Sequence, residues 1–244
     1  MNKQSPALLV DDVCVAYDKK EIVSNISFSV DHGETFGLIG LNGAGKTTII
    51  KSILGLRDCD KGQVTIDGNS VFAKQTQSKI AFLPERFDPP WFLSGIEFIK
   101  FSLRLYNIPF DKERVYSLSE GLALNSSVLK NKVQTYSKGM RQKLGILANL
   151  LSECPLLILD EPMSGLDPKA RLLVKDALER TKAEGKTIFV CSHILSDMDE
   201  ICDRVAVLNN GRIVFQGDPA NLKENTKEST LERAFIHIIE EKAA

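Results

Sequence analysis

The stretch TFGLIGLNGAGKTTIIKSILGL, residues 35–56, most constrains what this chain can fold into. TFGLIG (35–40) is uncharged and reads as a buried strand, whereas TTIIKSILGL carries apolar residues at helical spacing up to Gly55. Between them lies GLNGAGKTT, which fits G-x-x-x-x-G-K-[ST] after a strand and before a helix. Glycines 40, 43 and 45 let a loop wrap its backbone N–H groups around phosphate oxygens, and the helix that follows points its positive end at the same place. The candidate phosphate-binding residues are therefore Gly40, Leu41, Asn42, Gly43, Ala44, Gly45, Lys46, Thr47 and Thr48. Lys46 is expected to reach the β and γ phosphates, and the Thr47 hydroxyl to face Mg²⁺. A glycine-rich turn that binds nothing is the competing reading; the strand and helix flanks argue against it.

A nucleotide loop needs a metal anchor and usually a base. LLILDE (156–161) supplies both: an apolar strand, then Asp160 and Glu161 at its carboxyl end, where open α/β sheets place ligands. Asp160 is the candidate to hold Mg²⁺ through its water shell, and Glu161 to polarise a water attacking the γ-phosphorus. Two solvated carboxylates at a strand end would be the bland alternative.

The remaining pattern alternates strands and helices. Ile26, Phe28 and Val30 alternate with serines, GQVTIDG (62–68) is a short strand, and residues 87–151 read mainly helical with breaks at 88–90, Pro109 and Gly121. Asp167 and Pro168 open a long helix ended by Gly185, KTIFVCS (186–192) is a buried strand, and residues 204–215 form a hairpin around Asn210-Gly211. The fold class expected is α/β with a helical insert. Among 244 residues the net charge is −1, so no field of one sign recruits nucleic acid or anionic lipid. Cys14, Cys59, Cys154, Cys191 and Cys202 are scattered without a CxxC pair and read as reduced and structural. MNKQSPALLV lacks the apolar core of a signal peptide, and no apolar run approaches the roughly 18 residues of a membrane span. The expectation is a cytosolic chain that does not itself cross a membrane.

YSKGMRQK (136–143) is an odd helix opening: Ser137 and Gly139 stand among Lys138, Arg141 and Lys143 with no acid in the first turn. It precedes LLILDEP; SGLDP (164–168) and His193, in CSH, follow. A guanine reader of the Asn-Lys-x-Asp type is absent, since NKVQ (131–134) lacks the Asp. This ordered set resembles the nucleotide-binding subunits of ATP-binding cassette (ABC) transporters, and the resemblance covers nearly the whole chain. It implies one ABC domain over residues 7–240: a P-loop NTPase core with an N-terminal antiparallel β subdomain (1–85 and 152–220), a helical insert (86–151) and a helical tail (222–244). It further implies a dimer in which Ser137 and the Gly139 amide of one cassette grip the γ-phosphate of ATP held on the partner's Lys46 loop. By the same resemblance Tyr17 stacks on adenine, with a core strand aromatic as its other reading. His193 contacts the γ-phosphate and holds the attacking water with Glu161, and Asp167 connects the two sites.

One position departs from the family. In IAFLPERF (80–87), Glu85 stands where most cassettes place a Gln that contacts Mg²⁺ and water; it either keeps that role or lies solvated in its loop. Glu85 and the Lys-Gly-Met of the signature resemble the subgroup paired with six-helix, export-type membrane subunits. The implied function is ATP hydrolysis by a cassette dimer, with ATP and Mg²⁺, powering an integral membrane transporter subunit on the cytoplasmic face. A soluble ABC ATPase and an ATP-driven dimerising regulator are the alternatives. Trp91, Phe92, Phe98 and Phe101 are expected in the core or, alternatively, in a docking groove for the membrane subunit. The tail STLERAFIHII (229–239) offers a Ser229…Glu232 capping box, with Leu231, Phe235, Ile238 and Ile239 packing on the cassette.

Overall fold

The computed structural model describes residues 5–241. β1 (Leu8–Tyr17) and β2 (Lys20–Val30) form a hairpin whose turn residues Asp18 and Lys19 both have positive φ, the geometry of a primed turn that matches strand twist. β3 (Thr35–Gly40) leads through the glycine-rich loop into α1 (Lys46–Ile53), followed by β4 (Lys61–Ile66), β5 (Asn69–Ser70), the single turn α2 (Lys74–Gln77) and β6 (Ile80–Leu83). Three helices come next: α3 (Gly95–Leu105), α4 (Lys112–Gly121) and α5 (Lys138–Leu151). The chain then returns to strands in β7 (Leu156–Asp160), with α6 (Pro168–Ala183), β8 (Thr187–Ser192), α7 (Leu195–Ile201), β9 (Arg204–Asn209), β10 (Arg212–Gly217), α8 (Pro219–Thr226) and α9 (Leu231–Glu241) completing it.

The strands make two sheets. An antiparallel sheet runs β2-β1-β4-β5, and a six-stranded sheet runs β10-β9-β3-β8-β7-β6, parallel except for the β9–β10 hairpin. Every residue of β3, β7 and β8 is buried, as expected where both faces of a parallel sheet are covered. Ile26, Phe28 and Val30 alternate inward as the serine pattern indicates, and Phe28 stacks on Phe36 of β3 and Phe189 of β8, with ring centroids 5.2 and 5.8 Å apart. This aromatic column joins the sheets in a core shared with α1, while a second core lies on the opposite face with α3, α5, α6, α7 and α9.

Some local expectations change. α9 begins at Leu231, so its cap is Thr230, whose Oγ1 accepts from Arg233 N at 3.3 Å; the Ser229…Glu232 box falls one residue out of step. Its buried face is Leu231, Ala234, Phe235 and Ile238, with Ile239 half-buried, packed on α7, α8 and β10. Of the four aromatics after Glu85 only Phe98 is buried; Trp91, Phe92 and Phe101 are 65, 57 and 50% exposed. Residues 87–94 are not helical: α3 starts where Ser94 and Glu97 cap each other's backbone N–H reciprocally. The five cysteines are free thiols, four buried and Cys59 half-buried. Among the described residues no helix is long and apolar enough to cross a membrane.

Candidate nucleotide site

The glycine-rich loop lies at the carboxyl end of β3, between the ends of β8 and β9. Gly43 and Gly45 take φ of +83° and +114°, which L side chains rarely adopt, and a Cβ on Gly45 would also meet the Val23 side chain. Gly45 caps α1 without a side-chain acceptor, and the first turn holds no acid, so the amides stay free for an anion. Lys46 is buried and donates through Nζ to Gly40 O at 2.8 Å and Leu41 O at 3.3 Å, which folds its ammonium back over the loop. Ala44 and Thr48 are buried, while Leu41 is exposed.

A cavity of about 390 Å³ opens above this loop. Asn42, Gly43, Gly45, Lys46, Thr47 and Thr48 form one wall, and Asp160, Glu161 and Glu85 form the other. The parallel pairing β6–β7 brings Glu85, exposed just beyond β6, to the cavity where Asp160 ends β7. Burial pushes the Asp160 carboxyl up to about 6, Glu85 and Glu161 push the same way, and Lys46 opposes them. The shortage of positive charge and the hard oxygen donors of Thr47, Asp160 and Glu85 fit a divalent cation such as Mg²⁺. No three His, Cys, Asp or Glu side chains among the described residues converge as a metal cage. Mg²⁺ needs none, because it keeps waters and phosphate oxygens as ligands.

Glu161 is held unlike its neighbour. It is buried, its φ is +51°, and its carboxylate accepts from Ser192 Oγ at 3.0 Å and His193 N at 2.9 Å. His193 Nδ1 lies 2.7 Å from Oε1 of the same carboxylate, and the histidine is exposed toward solvent. A proton on Nδ1 satisfies that contact and leaves Nε2 free. A left-handed, non-glycine residue at the cavity wall is strain of the kind found at functional sites. Just beyond His193, α7 is tied to α6: Arg171 grips Asp197 bidentately at 2.7 and 2.8 Å, and Lys175 adds a contact at 3.5 Å.

The other predicted residues stand outside the cavity. Ser137 caps α5 by accepting from Met140 N at 3.2 Å, beside Gly139, and neither lines the cavity of its own chain. Asp167 caps α6 by accepting from Ala170 N at 2.8 Å. Tyr17 is 40% exposed with the Arg57 guanidinium 5.1 Å from its ring centroid, so it is no core aromatic. Sequence reasoning missed Ile22 on the cavity wall, Ser192 on Glu161, and Gln142, whose side chain reaches the backbone of Glu161 and Pro162. Ser192 was legible as the residue before His193, whereas Ile22 and Gln142 carried no local signal.

The family model described as ABC transporter matches residues 23–164. The chain belongs to the ABC transporter ATP-binding family. Its members are ATP-binding ATPases that power transporters. An uncharacterized ABC transporter ATP-binding protein of Synechocystis is 38% identical over 210 residues, 85% of this chain and 59% of that protein. The Nod factor export ATP-binding protein I of Ralstonia nicotianae is 33% identical over 224 residues, 89% of this chain and 69% of that protein. The solved ATP-binding subunit of an ABC transporter superposes with a TM-score of 0.88 at 30% identity, covering 95% of this chain and 99% of that one, so the fold is that of an ABC ATPase. This ABC cassette thus spans 59% of the length of its Synechocystis relative.

Proposed function

We propose that this cassette hydrolyses ATP with Mg²⁺ as a head-to-tail dimer and thereby drives an export-type integral membrane subunit. The observation that carries the reading is a second helix start suited to an anion, Ser137 and Gly139 at the head of α5, lying outside the phosphate cavity of its own chain. A partner copy's ATP is the anion it suits. Each site then combines the Lys46 loop of one chain with the α5 start of the other.

Within a site, the amides of Gly43 and residues 45–48 and the Lys46 ammonium hold the phosphates, and Tyr17 offers its open ring face to the adenine. Thr47 and Asp160 hold the metal, with Glu85 adding a third oxygen donor; when bound, Mg²⁺ neutralises charge on the β and γ phosphates. Glu161 accepts a proton from, and orients, the attacking water, while His193 Nε2 faces the γ-phosphate and Nδ1 fixes the Glu161 carboxylate. Asp167, at the loop between Glu161 and α6, carries the contact between sites. We assign residues 86–151 as the helical insert of this cassette, residues 5–85 and 152–220 as its core and residues 222–241 as its tail; residues 1–4 and 242–244 lie outside the described residues. The exposed Trp91, Phe92 and Phe101 suit docking of a membrane partner, which would hold the cassette at the cytoplasmic face. Export is supported by the relative named for Nod factor export.

The test is light scattering of the purified chain with and without ATP in a Glu161→Gln background. Pairing that requires ATP is expected, and Ser137→Ala weakens it by about tenfold while nucleotide binding to the monomer stays intact. Full ATPase activity from a dilute monomer would falsify the reading.

A further inference from the structure

Gln142 lies on α5, five residues after Ser137 and roughly 7 Å further along the helix axis. It is 4% exposed. Its Nε2 donates to Glu161 O at 3.3 Å and to Pro162 O at 3.1 Å, so one side chain of α5 holds two consecutive carbonyls of the loop that carries the Glu161 carboxylate. Glu161 O also accepts from Ser164 N at 3.1 Å. The same loop meets α5 twice more. A Cβ on Gly165 would come within 3.0 Å of Lys138 Cε, and one on Gly139 within 3.4 Å of the Leu166 side chain. The first turns of α5 and residues 161–166 are therefore packed and hydrogen-bonded as one body.

This connection joins two places with different duties. The α5 start does not line its own chain's cavity, whereas Glu161 does. Glu161 sits at φ +51°, a conformation that a non-glycine residue keeps only when its surroundings hold it. Its carboxylate is fixed from β8 by Ser192 and His193, and its carbonyl is fixed from α5 by Gln142. A shift of α5 pulls directly on the peptide following Glu161.

We propose that Gln142 is a positioning residue that sets the Glu161 backbone according to what the α5 start of the same chain has gripped, so that hydrolysis in one site depends on occupancy of the other. This rests on the shared-site reading above. When α5 closes on the partner's triphosphate, Gln142 brings the Glu161 peptide to its working position; without that anion the carboxylate is displaced from the attacking water. Displacements of about 1 Å at a reacting centre cost up to a hundredfold in rate.

The experiment uses the full-length chain with MgATP and compares Gln142→Met, which keeps length and removes the donor, with Gln142→Glu, which keeps shape and polarity and removes both N–H groups. Turnover, KM, Hill coefficient and ATP-driven pairing are read together, with thermal melting recorded for each variant. Both variants are expected to lower kcat by about tenfold or more with KM within about twofold. Measured at protein concentrations that keep the chain paired, the Hill coefficient falls from about 2 toward about 1, because two sites no longer sense one another, while light scattering shows that ATP-driven pairing persists. Unchanged kcat and Hill coefficient in a folded variant would overturn the proposal, as would a kcat loss matched only by the unfolded fraction. Should the unsubstituted chain neither pair with ATP nor show cooperativity, the shared-site reading itself is wrong and the coupling falls with it, an outcome separate from a defect confined to the Gln142 variants.

Discussion

α1 and α5 begin alike and end up in opposite situations. Neither has an acid in its first turn, unlike α3 and α4, which open with Glu97 and Glu113 behind side-chain caps from Ser94 and Asp111. Leaving first-turn amides without a carboxylate forgoes a few tenths of a kcal/mol to about 1 kcal/mol of dipole stabilisation; α6 and α8 do so too, so the missing acid by itself marks neither α1 nor α5. α1 is enclosed by Lys46, Asp160 and Glu85 in one cavity, so a single chain assembles that site. α5 presents Ser137, Gly139 and neighbouring cations outside that cavity, although Lys138, Arg141 and Gln142 share a second cavity with residues 85–88 and Ser164 of the same chain. On the proposed reading, the difference separates a site that one fold lines from one that a second copy completes.

The largest effect that can break this contrast is at Glu161. Glu161→Gln is expected to lower turnover by about 10²–10⁴-fold while nucleotide binding remains, because only the proton-accepting group is lost. Steady-state phosphate release and nucleotide titration check it, and a variant that turns over normally removes Glu161 from the enclosed site. Next comes the ion pair that ties α7 to α6. Arg171→Ala leaves Asp197, 1% exposed, with only the 3.5 Å Lys175 contact, and about 3 kcal/mol of stability should go, read by denaturant unfolding. A loss below about 1 kcal/mol would mean the pair is not holding α7.

A smaller effect sharpens the comparison of helix starts. Asp111 accepts from both Glu113 N and Arg114 N, so Asp111→Ala should cost about 1 kcal/mol, a melting shift of about 2–4 °C, with turnover unchanged. If it instead impairs ATP-driven pairing, stability caps and anion-ready starts are not separate classes here. The smallest effect is a pH dependence. The backbone N–H and hydroxyl of Ser94, then Lys132, hold the Glu97 carboxyl at about 2, below its ordinary 4.5. Its folded form is thus favoured above about 4.5, and that contribution fades as pH falls toward about 2. Glu97→Gln should therefore flatten the acid limb of the stability curve in this interval and leave it unchanged near neutrality.

How much was legible depends on distance along the chain. GLNGAGKTT could be read because strand, loop and helix are contiguous and each glycine answers a local steric demand. Asp167 with Pro168, and Asn210-Gly211, were readable for the same reason. β1 was harder: its pairing slips between Val10 and Val13, around Asp12 at φ +48°, and that bulge breaks the period-two pattern. The α9 cap was placed one residue early because Ser229 and Thr230 are chemically equivalent, and only the packing of Leu231 selects between them. The exposure of Trp91, Phe92 and Phe101 ran against their hydrophobicity, since composition says nothing about which face of a loop meets the core.

The sequence by itself determined the ABC cassette: the phosphate loop, Asp160-Glu161, the α5 start and His193 are short-range patterns whose order along the chain suffices. Only the tertiary structure decided that Glu85 reaches the cavity, that Ile22 lines it, that Ser192 and His193 clamp Glu161, and that Gln142 ties α5 to the Glu161 backbone. Those contacts join residues far apart in sequence, set by strand order and helix packing. Local propensity carries no record of which distant partner a side chain will meet.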